Sequence, residues 1–169
     1  KKIKKDLNIF VEKSIIFVSD NLGYVYAVDI SKNKLIWAKK FKLPFRSNIK
    51  VEDDKIFLSD LNNTLYIINK LNGEKLRSLP TEEVLLKNDF INSLAIQNED
   101  LYYLNTYGSL YSIDKVNLTI NWFKNLNRSL DLNFNNLFYS NSIVLQEDKI
   151  IVSTDPYLYI LNENSGSTV

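Results

Sequence analysis

Four times in 169 residues the sequence returns to one pattern: an apolar residue, a tyrosine, any residue, an apolar residue, then Asp or Asn. The copies are Val25-Tyr26-Ala27-Val28-Asp29, Leu65-Tyr66-Ile67-Ile68-Asn69, Leu110-Tyr111-Ser112-Ile113-Asp114 and Leu158-Tyr159-Ile160-Leu161-Asn162. Successive tyrosines lie 40, 45 and 48 residues apart. A period of about 40 to 50 residues marks a supersecondary unit that buries its apolar surface by stacking on copies of itself. The period is that of a propeller blade, with a β-sandwich as the alternative.

The flanks decide among these. Before each tyrosine stands a β-branched or aromatic run: Ile15-Ile16-Phe17-Val18, Ile56-Phe57-Leu58, Leu101-Tyr102-Tyr103-Leu104 and Ile150-Ile151-Val152. Turn residues separate run from tyrosine: Asp20-Asn21-Leu22-Gly23, Asp60-Leu61-Asn62-Asn63, Thr106-Tyr107-Gly108 and Asp155-Pro156. Such residues tolerate the backbone angles of tight hairpins. A second turn follows each tyrosine strand, and eleven residues past the first three tyrosines stand Trp37, Arg77 and Trp122. A constant offset requires a hairpin of fixed register, because a one-residue slip turns every side chain to the other face.

A further strand is expected from the stretches Phe45 to Val51, Phe90 to Ile96 and Leu137 to Leu145, giving about four antiparallel strands per repeat. Stacking such units around an axis covers both faces of strands this apolar. The expected fold is all-β: a propeller of four-stranded antiparallel blades, with repeats spanning approximately 1–44, 45–89, 90–137 and 138–169. A β-sandwich does not explain a whole-blade period. Thr81-Glu82-Glu83 has the composition of a short helix cap, and equally of a loop or outer strand.

The segments Tyr24 to Phe41 and Ser109 to Leu126 resemble the PQQ-like, quinoprotein-type repeat, in which a Tyr-bearing strand, a Gly-bearing turn and a Trp-bearing strand follow one another. The resemblance implies that Trp37 and Trp122, with Tyr26, Tyr66, Tyr111 and Tyr159, dock neighbouring blades, and that Arg77 departs from the pattern. It also implies a ring of six to eight blades, so that four repeats are expected to be joined by the remaining blades of the same chain or by a second copy. The absence of methionine fits a chain whose leader has been removed or omitted.

The chemistry available is narrow. Without cysteine or histidine, thiolate nucleophiles, Ser-His triads and the usual transition-metal sites drop out. A formal net charge of +1 provides no field to gather nucleic acid. The acidic pairs Glu52-Asp53-Asp54, Glu99-Asp100 and Glu147-Asp148 are the catalytic-looking groups, yet all fall at one phase of the repeat, where a turn belongs. Asp29, Asn69, Asp114 and Asn162 carry oxygens suited to calcium, again at one phase, where their side chains are expected to hold backbone amides. No catalytic, cofactor-binding or metal residue is assigned.

Within the family, the resemblance points to the non-enzymatic, BamB-like branch: a protein-binding scaffold of the cell envelope, periplasmic or associated with the outer membrane, whose partner is another protein such as an outer-membrane assembly component. The alternatives are a fragment of a PQQ-dependent dehydrogenase and a ligand-sensing propeller. For a contact surface, Leu132, Phe134 and Phe138 in the longest connector are the weak candidates, weighed against their forming the next blade.

Overall fold

In a computed structural model, the described residues are 6–83, 90–127 and 137–169. They form fifteen strands and no helix, and the chain divides into two compact units, Lys1–Leu85 and Leu86–Val169. Thr81 to Glu83 fall outside any strand or helix.

The first unit holds two four-stranded sheets. One contains β1 (Leu7–Glu12), β2 (Ile15–Asp20), β3 (Tyr24–Asp29) and β4 (Lys34–Lys40); the other contains β5 (Lys50–Glu52), β6 (Lys55–Ser59), β7 (Thr64–Asn69) and β8 (Lys75–Pro80). The second unit repeats the plan with β9 (Ser93–Gln97), β10 (Asp100–Leu104), β11 (Ser109–Asp114) and β12 (Ile120–Asn125), then a three-stranded sheet of β13 (Val144–Gln146), β14 (Lys149–Ser153) and β15 (Leu158–Asn162). A bridge between Leu161 and Thr168 lies beside β15, where the other sheets have their fourth strand. Each sheet is an antiparallel meander in sequence order.

Local sequence explains the meander. The apolar runs become the second strand of each sheet, and β6 and β10 are almost wholly buried, as β-branched and aromatic residues on a doubly covered sheet require. The outer strands β4, β8 and β12 are largely exposed. The hairpin from first to second strand turns at Lys13, Asp53, Asn98 and Glu147, all with φ between 51° and 54°. Two of the acidic pairs thus contribute a turn residue with left-handed φ, and Glu99 lies in the third such turn.

Between third and fourth strands the register shifts at one place in three sheets, after Ala27, Ile67 and Ser112. Ala27 pairs with Trp37 and Val28 with Leu35, so Ile36 is the extra residue. This β-bulge re-aims the outer strand. It places Trp37 on the same face as Ala27 and Phe17.

Each unit has one core between its sheets. In the first, Phe17, Val25, Ala27 and Trp37 pack with Phe45, Ile49, Ile56, Leu58 and Ile68. In the second, Tyr102, Leu104 and Leu110 pack with Phe138, Ile143, Ile150, Val152 and Leu161, and Trp122 lies against them.

Candidate functional site

Two constructions recur in the described residues: an indole tie between sheets, and a buried oxygen acceptor in the hairpin between second and third strands of three sheets.

The tie is built alike in both units. Trp37 Nε1 donates to the carbonyl of Lys70 at 3.0 Å, and Trp122 Nε1 donates to the carbonyl of Glu163 at 2.9 Å. Both acceptors stand four residues past the tyrosine of the following repeat. A second bond runs beside each: Lys70 Nζ to Glu12 Oε2 at 3.1 Å in the first unit, and Gln97 Nε2 to Glu163 Oε2 at 2.7 Å in the second. A hydrogen bond from a largely buried indole satisfies its one donor while the ring supplies apolar area.

Glycine makes room for the ring. A Cβ on Gly73 would lie 2.5 Å from Trp37 Cε3, and one on Gly166 would lie 2.7 Å from Trp122 Cε3. The backbone angle alone does not demand glycine, because the corresponding positions of the other two repeats hold Asn33 and Leu118 at φ 47° and 59°. The indole is what excludes a side chain at Gly73 and Gly166. Gly73→Ala is expected to destabilise the first unit by about 1 to 3 kcal/mol through overpacking, read as a lower urea midpoint with an unchanged slope.

The hairpin acceptors are Asp20, Asp60 and Asn105, all buried. Asp20 Oδ1 accepts the backbone N–H of Leu22 and Tyr24 at 3.0 and 2.8 Å. Asp60 Oδ1 accepts those of Asn62 and Thr64 at 2.9 and 3.0 Å, and Asn105 Oδ1 those of Tyr107 and Ser109 at 3.0 and 3.1 Å. Tyr26 donates its hydroxyl to Asp20 Oδ2 at 3.2 Å, and Tyr66 bonds Asp60 in the same way. Burial raises the Asp60 carboxyl above its ordinary value, while the amides of Thr64 and Asn62, the Tyr66 hydroxyl and Arg46 oppose the rise.

Burial, reinforced by the Asp60 charge and hydrogen bond, pushes the Tyr66 hydroxyl up to about 12. A phenol with a folded value above its unfolded value of about 10 stabilises the fold fully below pH 10. That contribution is lost as pH rises from about 10 toward 12. Between those values the first unit is expected to lose stability with a slope that Tyr66→Phe reduces, measured by urea melts at stepped alkaline pH.

The remaining repeated polar groups also hold backbone. Asp29, Asn69, Asp114 and Asn162 each accept, through Oδ1, the N–H groups two and three residues on, at 2.7 to 3.3 Å. The carboxyls of Asp29 and Asp114 fall below the ordinary range: the Ser31 hydroxyl bond leads for Asp29, and the Asn117 backbone bond for Asp114. Among the described residues no three acidic side chains cluster to hold a metal ion.

The other candidates lie as follows. Tyr111 stacks on Tyr103 with centroids 6.0 Å apart and meets Phe123 at 5.0 Å. Tyr159 donates to the carbonyl of Leu126 at 2.9 Å. Phe138 is buried in the second core beside Tyr159 and against Gly108. Leu132 and Phe134 lie outside the described residues. By sequence alone Asp20 and Asp60 read only as turn formers. The signal for more is their place six residues before Tyr26 and Tyr66, which across a short antiparallel hairpin brings carboxylate and phenol together.

Repeated four-stranded meanders tied by an indole define a β-propeller assembled from PQQ-type repeats. Residues 6–114 match the family described as outer membrane protein assembly factor BamB, and the chain belongs to that family. No curated protein matches the sequence. Among solved structures, BamB from Moraxella catarrhalis is similar with a TM-score of 0.82 at 11% identity, covering 96% of this chain and 50% of that one. The computationally designed Ika4 protein is similar at 0.75 and 11% identity, covering 96% and 94%. Quinohemoprotein alcohol dehydrogenase from Comamonas testosteroni is similar at 0.73 and 11% identity, covering 96% and 34%. The chain spans half the length of the BamB structure it matches, and at these identities the likeness is one of fold.

Proposed function

We propose that this chain contributes blades to a non-catalytic, protein-binding scaffold of the cell envelope, resembling the BamB component of outer-membrane assembly, in the periplasm or at the outer membrane. The observation that carries the reading is the family match across residues 6–114. The use of the repeated polar groups supports it. Asp20, Asp60, Asp29 and Asp114 each use Oδ1 to accept backbone amides of their own hairpins, as turn-forming residues do. In this reading Trp37, Trp122, Tyr26, Tyr66, Tyr111 and Tyr159 serve blade-to-blade and within-blade packing, and partner contact falls to loops and outer strands.

The fold likeness to a dehydrogenase sets the contrary outcome. The complete protein, affinity-purified from crosslinked envelope, is expected to bring down an outer-membrane assembly component. With PQQ and calcium added it is expected to reduce no dye in the presence of alcohols. Quinone-dependent dye reduction would overturn the scaffold reading.

A further inference from the structure

Of the asparagines in the sequence, Asn72 alone is followed by glycine. At such a pair a peptide chain can attack itself. The glycine's backbone nitrogen bonds to the asparagine Cγ, the Cγ–Nδ2 bond breaks, and the nitrogen's proton leaves with the side-chain amide as ammonia. Water then opens the five-membered imide at either carbonyl, giving aspartate or isoaspartate. Glycine favours the step because it has no Cβ to hinder a close backbone approach.

In the first unit the groups this step needs are all engaged. Asn72 is exposed and Gly73 is buried, so water reaches the side chain while the attacking nitrogen lies inside. The Gly73 N–H donates to the carbonyl of Asn69 at 2.9 Å. Asn72 Nδ2 donates to Glu74 Oε2 at 3.1 Å, and Asn72 Oδ1 accepts the Glu74 N–H at 2.9 Å. The bond from Gly73 belongs to the turn itself, since Leu118 and Gly166 donate in the same way to the carbonyls of Asp114 and Asn162 at 2.7 and 2.9 Å. To attack, the nitrogen must leave Asn69 and swing toward Cγ. The Trp37 ring stands in the way: a Cβ on Gly73 would already lie 2.5 Å from Cε3, and the ring is held by its 3.0 Å bond to the Lys70 carbonyl.

We infer that Asn72 is a deamidation site gated by Trp37, closed while the indole sits on Gly73 and open when the indole leaves it. The product is a poorer seat for the ring. Aspartate at this position has no Nδ2 donor and sets a second carboxylate beside Glu74, and isoaspartate adds a backbone carbon to a turn with no room under the indole. Each event therefore records an opening of the tie. The inference rests on the geometry of this turn and is independent of the scaffold reading.

The test follows the Asn72 peptide by mass spectrometry after the complete protein is incubated in mildly alkaline buffer, folded or in guanidinium chloride. A step that passes through an open form tracks the population of that form. The folded protein is expected to deamidate at Asn72 at least about tenfold more slowly than the unfolded one. Trp37→Phe, checked for native circular dichroism, is expected to raise the folded rate about fivefold or more, while Leu71→Ala on the same turn leaves it within about twofold. Equal rates in folded and unfolded protein would overturn the inference, and that comparison needs no variant. So would a folded Trp37→Phe protein that deamidates no faster than the Leu71→Ala control.

Discussion

Trp37→Ala is expected to cost the first unit about 3 to 5 kcal/mol, the range for deleting a large aromatic from a packed interior. The ring is 8% exposed, lies 6.4 Å from Phe17 and fills the space beside Gly73. Its removal opens a cavity and strands the Lys70 carbonyl. Trp37→Phe separates the two effects: it keeps much of the apolar area and gives up the 3.0 Å bond to Lys70, at about 1 kcal/mol for that bond. Chemical denaturation followed by circular dichroism reads both. Leu71→Ala on the exposed turn is the control and is expected to move stability by no more than about 0.5 kcal/mol. A Trp37→Ala loss no larger than that control would show that the indole does not tie the sheets.

The second large effect is expected at Asp60, and its size depends on the replacement. Asp60→Ala removes the acceptor for the amides of Asn62 and Thr64 and for the Tyr66 hydroxyl. Each donor left unmatched in a buried site costs about 1 to 3 kcal/mol, so a loss of about 3 kcal/mol or more is expected. Asp60→Asn retains Oδ1 for both amides and removes a buried charge. The third sheet already uses this solution, with Asn105 accepting Tyr107 and Ser109. Asp60→Asn keeps both amide bonds and gives up the acceptor of the Tyr66 hydroxyl, so its loss is expected to stay at about 1 to 2 kcal/mol, below that of alanine. If alanine and asparagine prove equally damaging, it is the charge that matters and the acceptor account fails.

Much of this was legible from spacing. The four tyrosines, the apolar runs before them and the turns on either side locate the second and third strand of every sheet. The constant offset to Trp37 and Trp122 anticipates a fixed register. Asp29, Asn69, Asp114 and Asn162 were readable as turn formers because a side-chain oxygen followed by free amides two and three residues on is a local arrangement, set within one turn.

Other features depended on space rather than sequence neighbourhood. The first strands β5 and β13 are three residues long, too short for an alternating pattern to show. The bulges that skip Ile36, Leu76 and Asn121 leave no compositional mark, since two of these residues are ordinary strand formers. The buried state of Asp20 and Asp60 was hidden because aspartate in a turn is normally solvated, and only the hairpin register brings Tyr26 and Tyr66 over them. The coupling of Gly73 to Trp37 spans 36 residues and becomes visible once one sheet is laid on the next. Phe138 was weighed both as a contact residue and as part of the next blade; it lies in the second core against Gly108, a neighbour that sequence proximity does not reveal.

The sequential meander also governs how such a chain comes into being. Every ladder among the described strands joins neighbours in sequence, so each sheet needs only short loops to close and little chain entropy is spent before contacts repay it. During synthesis, a sheet has all its pairing partners once its own repeat has left the ribosome. What it lacks until the next repeat arrives is cover for its apolar face, and that interval is when the nascent chain is most exposed to aggregation.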